Sequence, residues 1–145
     1  MATINATISV NSDIMSYPIR INKSMTMKKA GSCHGLEETT GLTSRKFQAT
    51  TVVKILDAAN ADTGATAGGA NKLYIRNTGS SKASYFYVAY ANNSAGATSG
   101  ETLGKLYGGD WMLVPWNATA ATSHDVCVAP STADTMTLEY MVFVE

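Results

Sequence analysis

The residues whose chemistry would matter most if they came together are two cysteines and two histidines: Cys33-His34 early in the chain, and His124 with Cys127 near its end. Two thiolates and two imidazoles are enough to hold a tetrahedral zinc ion. Their spacing does not support one. Adjacent Cys33 and His34 lack the two-residue gap that lets a knuckle wrap a metal. In an extended segment His124 and Cys127 are an odd number of residues apart and project to opposite faces. With Asp125 these residues also contain the parts of a Cys/His nucleophile, yet sequence neighbours do not build a triad, and no strained Gly-x-Ser-x-Gly elbow is present. The carboxylates Glu37, Glu38, Glu101, Asp110 and Glu139 are no more than any chain of this size offers for glycoside chemistry. The glycines between Gly64 and Gly69 lack the Gly-Lys-Ser/Thr ending of a phosphate cradle and precede a strand pattern instead of a helix. No catalytic residue, cofactor or metal is assigned on these grounds, and the expectation is a protein that is not an enzyme. Cys33 and Cys127 are read as free thiols, one in a loop and one packed in a strand.

The aromatic residues carry more information. Tyr85, Phe86, Tyr87 and Tyr90 crowd one run, and Tyr107, Trp111 and Trp116 follow within another. Such side chains serve as core, as sugar platforms or as interface anchors. The run Ser84 to Ala91 has bulk on both faces, so one side must meet the core and the other a second layer or a partner. Lys28 and Lys29, with Arg20 and Lys23, form the one basic cluster, which reads as a solvated face because Tyr17 is its only nearby aromatic. The candidate interface residues are Tyr85, Tyr87, Tyr107, Trp111 and Trp116, with Lys28 and Lys29 added for the case that the Thr3 to Lys29 segment lies on a partner as an extra strand and they meet acidic residues there.

Composition narrows the partners. Of 145 residues, 45% are apolar and only 15% charged, against about a quarter charged in a typical globular domain. That deficit points to surface that something covers. Eleven basic and eleven acidic residues cancel, so no net field draws the protein to nucleic acid or to an anionic membrane. No apolar run approaches the ~20 residues of a spanning helix, and no charged segment leads into an apolar one at the start, so synthesis in a cytoplasm is expected. The Asn-X-Ser/Thr matches at Asn5, Asn22, Asn92 and Asn117 then carry no meaning.

The elements that must position these residues are strands. Thr3 to Val10 alternates in polarity, as a half-buried strand does, and Ile19 to Lys28 alternates again after Tyr17-Pro18. Ala30 to Ser44 loses period and reads as a long loop with a short helical turn around Leu36 to Thr40. Arg45 to Asp57 reads as one strand and Ala58 to Ala70 as a mobile loop. Lys72 to Asn77 places Leu73 and Ile75 on one face and Tyr74 and Arg76 on the other. Asn92 to Gly100 is a further loop. In Glu101 to Trp116 two apolar runs meet at Gly108-Gly109-Asp110, whose glycines permit a tight corner that turns Leu103, Leu106 and Met112 inward. Asn117 to Ser123 is polar, His124 to Ala129 is a short strand closed by Pro130, and Asp134 to Val144 puts Met136, Leu138, Tyr140, Val142 and Val144 on one face. The pattern predicts an all-β chain, an antiparallel β-sandwich or jelly-roll-like barrel of about eight short strands with little or no helix. Residues 1–145 are expected to form a single β domain, with 1–30 as an extended N-terminal arm contributing to partner contacts.

A wider likeness runs through several of these stretches. Lys72-Leu73-Tyr74-Ile75-Arg76-Asn77-Thr78-Gly79, the aromatic strand after it, Leu103 to Asp110 leading to Val114-Pro115-Trp116, and the ending Leu138 to Phe143 together resemble small all-β virion proteins of tailed bacteriophages, auxiliary head proteins in particular. Thr39 to Leu42 and Ile55 to Ala58 belong to the same pattern, which covers most of the chain from about Gly31. The resemblance implies a capsid decoration or cement protein: a homo-oligomer, with a trimer favoured, that binds the major capsid protein on the virion surface and acts without catalysis. Nucleic acid, membrane and small-molecule substrates are not expected as partners. A head-to-tail connector or tail component is the neighbouring alternative. A carbohydrate-binding β-sandwich is the alternative of another class.

Overall fold

The computed structural model describes residues 3–14, 18–36, 38–59, 69–91, 101–118 and 124–145. The chain is all-β and antiparallel. Its strands are β1 (Asn5–Ser12), β2 (Ile19–Thr26), β3 (Glu38–Thr39), β4 (Thr43–Phe47), β5 (Val53–Leu56), β6 (Lys72–Asn77), β7 (Tyr85–Ala91), β8 (Glu101–Tyr107), β9 (Trp111–Pro115), β10 (Asp125–Pro130) and β11 (Met136–Val144). No helix among the described residues is long and apolar enough to cross a membrane.

Two compact units divide the chain, residues 1–37 and residues 38–145. The first holds the segment expected as an N-terminal arm, residues 1–30. In it β1 and β2 form an antiparallel hairpin in unbroken register from Asn5↔Thr26 to Ser12↔Ile19. The alternation read from Thr3 to Val10 does make a strand, but not a half-buried one: almost every residue of both strands is exposed. Beyond β2 the chain doubles back, with Leu36 N donating to Met27 O at 2.8 Å and Lys29 N to His34 O at 3.0 Å.

The second unit pairs its strands as a rolled ribbon. β4 pairs with β11, β5 with β10, β6 with β9 and β7 with β8, all antiparallel. Rolling adds the pairs β11–β6 and β10–β7, which divides the ribbon into two sheets, β5-β10-β7-β8 and β4-β11-β6-β9, with β3 on the β4 edge of β11. This is the strand order of a double-sheet jelly roll of eight strands, β4 to β11.

Period-two alternation fills the space between the sheets. Leu73 and Ile75 of β6, Leu138 and Val142 of β11, Phe86 and Val88 of β7, and Val126 and Val128 of β10 are all fully buried in one cluster. Phe47 and Phe86 meet across the sheets edge to face, with ring centres 5.3 Å apart.

Three local expectations change. Leu36 to Thr40 holds no helical turn: beyond Glu37, which lies outside the described residues, Glu38 and Thr39 pair with Val144 and Phe143 as β3. The break before β4 is bridged by Thr40, whose N–H donates to Val142 O and whose Oγ1 accepts from Val142 N, both at 3.0 Å. Arg45 to Asp57 is two strands in different sheets, because the chain crosses from one layer to the other between Phe47 and Val53. The corner at Gly108 joins sheets in the same way. Leu106 and Met112 turn inward as expected, but Leu103 is 42% exposed. It falls where the β7–β8 register shifts, Val88 facing Gly104 and Ala89 facing Thr102, so the extra residue is pushed out of the inward series. The loops read at Ala58 to Ala70, Asn92 to Gly100 and Asn117 to Ser123 lie largely or wholly outside the described residues.

Two buried asparagines bracket β6. Asn77, 1% exposed, donates from Nδ2 to Leu106 O at 2.9 Å and accepts at Oδ1 from Gly79 N at 3.0 Å. Its backbone N–H donates to Asp110 O, and its carbonyl accepts from Gly109 N, both at 3.0 Å. Gly108 is obligatory beside it, because a Cβ there would collide with the carbonyl oxygens of Ser81 and Gly79, and Gly109 has φ 91°, which favours glycine. At the other end Asn71 O accepts from Trp116 N at 3.0 Å and Asn71 Oδ1 from Glu145 N at 3.2 Å. Asn77→Ala would strand the buried Leu106 carbonyl at about 1–3 kcal/mol, while the amide of the exposed Gly79 can turn to water. Urea unfolding followed by the buried Trp116 should show a lower midpoint with an unchanged slope; an unmoved midpoint would show that water replaces both bonds.

Candidate functional site

Outward-facing residues of β7 are Tyr85, Tyr87 and Ala89, the positions that alternate with the buried Phe86 and Val88. Register sets their neighbours. Tyr107 of β8 stands opposite Tyr85 and Lys105 opposite Tyr87, while Ala129 and Cys127 of β10 lie opposite Tyr87 and Ala89. The outcome is a compact aromatic group on the outer face of the four-stranded sheet. Tyr85 and Tyr87 rings meet edge to face at 5.0 Å, their hydroxyls are 3.1 Å apart, and Tyr85 and Tyr107 rings are 5.1 Å apart. Lys105 Nζ lies over this group, 4.5 Å from the Tyr85 ring centre and 5.3 Å from that of Tyr87.

The hydrogen bond between the two phenols divides them. Tyr87 is pulled below the ordinary tyrosine range, chiefly by the Tyr85 hydroxyl bond and further by the Lys105 charge. Tyr85 is pushed up by the same bond and by desolvation, and Lys105 is raised by the two phenols. Beside Tyr87 the sheet has a floor of small residues, Ala89, Cys127 and Ala129, buried together with Val52 against it.

The outer face of the five-stranded sheet is also apolar. Leu113, Tyr74 and Met141 sit side by side on β9, β6 and β11, with Trp111, Arg76 and Glu139 as the next row and Pro115, Lys72 and Phe143 as the one beyond. Trp111 is 51% exposed. Trp116 is different: it is 1% exposed and its Nε1–H donates to His124 O at 2.9 Å, so this candidate is a core residue and presents no indole face to a partner. Alternation points the same way: Trp116 continues the even-numbered series Met112, Val114 that packs against the core, not the outward series Trp111, Leu113, Pro115. Lys28 and Lys29 lie just after β2 in the N-terminal unit, Lys28 exposed and bridged to Gly35.

The residues of the nucleophile and zinc readings have other roles. Asp125 is buried, accepts from Ala58 N at 2.8 Å through Oδ1, and meets Lys54 Nζ at 3.2 Å through Oδ2. Lys54 also reaches Asp57 at 2.6 Å, which raises the ammonium and lowers the Asp57 carboxyl. Burial pushes the Cys127 thiol up, and the Asp125 charge adds to the effect, so its environment favours the thiol over the reactive thiolate. Among the described residues no three His, Cys, Asp or Glu side chains gather as a metal ligand set.

Lys105, Tyr74, Leu113, Met141 and Phe143 are surface residues that sequence reasoning did not single out. Alternation was available to place Lys105 on the side of Tyr107, but its position over Tyr85 and Tyr87 depends on long-range register. No family model, curated protein or solved structure matches the chain significantly.

Two expectations follow. Asp125→Ala leaves the Ala58 amide and one side of Lys54 without their acceptor, at a cost of about 1–3 kcal/mol, readable as a lower thermal midpoint; no shift would mean the Lys54–Asp57 pair suffices. In a spectrophotometric alkaline titration Tyr87 should ionise before Tyr85. Tyr87→Phe should remove the earliest phenolate signal, and Lys105→Ala should move that signal to higher pH; an early signal that survives Tyr87→Phe would reverse the assignment.

Proposed function

We propose that this protein is a virion structural protein that binds an assembled capsid and stabilises it as a decoration or cement protein, acting by binding alone. It works as a homo-oligomer, a trimer in keeping with the resemblance, and contacts the major capsid protein. The observation that carries the reading is the outer face of the five-stranded sheet, where Trp111, 51% exposed, stands beside the row Leu113, Tyr74 and Met141. A sheet face whose middle row is apolar, flanked by Arg76 and Glu139 beside the half-exposed Trp111 on one side and by Lys72 on the other, has the make-up of a protein–protein contact: an apolar centre with charges toward its margins. The low charge content of 15% fits a chain that spends its working life partly covered.

Trp111 also gives the carbohydrate reading its one favourable observation, since an exposed indole on a sheet face is a sugar platform. The two readings part on the partner. Purified virions from the source of this chain should carry the protein on the head, and the isolated protein should rebind heads stripped of it. Trp111→Ala should weaken that rebinding by about tenfold or more, the loss of an interface anchor. Absence from the head, or an undiminished affinity, would remove the proposal; quenching of Trp111 fluorescence by a glycan would favour its rival.

A further inference from the structure

The N-terminal hairpin has two unlike faces. One carries Asn, Ser, Thr and Arg20 throughout, and part of it is satisfied within the hairpin: Thr7 Oγ1 and Ser24 Oγ are 2.8 Å apart, and Thr26 Oγ1 donates to Asn5 Oδ1 at 2.8 Å. The other is aliphatic. In register it reads Ala6 with Met25, Ile8 with Lys23, Val10 with Ile21, and Ser12 with Ile19. Its five large hydrocarbon side chains are 41–46% exposed. A two-stranded hairpin is marginally stable in water unless a hydrophobic face is covered, and the unbroken eight-pair register of this one implies that something covers it.

We infer that the cover is the same face of a second copy of this chain, the two hairpins stacked about a two-fold axis parallel to their strands. The distribution of side-chain size points to this occupant. At both ends of the face the small residue is on β1, Ala6 or Ser12, and the large one on β2, Met25 or Ile19. Rotation about an axis along the strands lays β1 of one copy over β2 of the other at the same level, so Ala6 meets the second copy's Met25 and Ser12 its Ile19. Each small residue receives a large one, which is what close packing at a sheet separation of ~10 Å needs. An axis across the strands would stack Ala6 on Ser12 and Met25 on Ile19, leaving a gap at one edge and crowding at the other. Charge agrees with an apolar occupant: Lys23 is the only ionisable group on the face, and from β2 at the hairpin edge its stem can cover the facing Ile8 while the ammonium reaches water.

Area limits the strength of the pairing. Eight residues at ~3.3 Å and two strands ~4.8 Å apart give a footprint of about 250 Å² per copy, or about 500 Å² for both, below the ~1,200 Å² of a stable interface. The contact is therefore a link between copies held close by other means, where effective concentration makes a weak contact count. Copies arrayed on a capsid meet that condition, but the inference does not rest on the capsid reading.

The test uses the full chain with Cys33→Ser as background, so that added thiols are the accessible ones. Ala6→Cys and Met25→Cys proteins are mixed at high concentration and treated with a short bifunctional thiol reagent. Only an intermolecular link can join one to the other. Cross-linked dimer should exceed that from Asn5→Cys mixed with Thr26→Cys, on the polar face, by about tenfold. Ala6→Cys mixed with Ser12→Cys should match the polar background, because six residues of strand, about 20 Å, separate those levels. Equal yields from the apolar and polar pairs would overturn the pairing and leave the face to a different partner. A strong Ala6/Ser12 link would overturn the stated axis. Neither result depends on whether the protein binds capsids.

Discussion

The jelly-roll unit depends on how β6 is held at its ends. This strand is central in its sheet, and its core residues Leu73 and Ile75 are fully buried, but hydrophobic contact is non-directional and does not say where a strand must stop. Asn77 and Asn71 do. A buried amide has several hydrogen-bonding groups to satisfy, and leaving one unpaired in a low-dielectric interior costs about 1–3 kcal/mol. Asn77 meets that demand only if the end of β8, the Gly108–Asp110 corner and the Thr78–Gly79 turn all arrive together. The Asn71 side chain accepts from the Glu145 amide, while its main-chain carbonyl accepts from Trp116 just after β9. The two asparagines thus turn a layered hydrophobic core into one with a fixed register.

With the core so fixed, the outer faces are free to differ. The four-stranded sheet presents hydroxyls and an ammonium gathered around three tyrosine rings. The five-stranded sheet presents larger, drier side chains with a half-exposed indole. A partner that bound the first would exchange hydrogen bonds, and one that bound the second would mainly exclude water. The hairpin offers a third kind of surface, aliphatic but for Lys23 and Ser12.

What the sequence revealed was periodic. Alternation alone located β6, β7 and β11 to within a residue or so and divided Leu73 and Ile75 from Tyr74 and Arg76, because a strand's two faces are encoded locally. Aromatic content drew attention to Tyr85, Tyr87 and Trp111, which the register places on outer faces of the two sheets. Alternation failed wherever a long-range partner decides. β3 is two residues long, too short for a period, and exists because β11 offers an edge. The split of Arg45 to Asp57 is a change of sheet that no local pattern announces. Leu103 is turned out by a register shift. Thr3 to Val10 shows the converse: the alternation was genuine, but the strand it makes is not half-buried.

The ribbon arrangement has a consequence for how the chain comes to be folded. Its pairs are nested: β7 with β8 innermost, then β6 with β9, β5 with β10, and β4 with β11 last. Each outer pair encloses every inner one, so the loop that must close is shortest at β7–β8 and, if the inner pairs are already made, hardly longer at each later step. Closing β4 on β11 first would instead order most of the unit for one pair of strands. Assembly is therefore expected to zip outward from the tyrosine-bearing pair, which should show the highest φ-values in the unit, with the β4 edge near zero. The high share of distant pairings places the rate in the millisecond-to-second class of β-sandwiches.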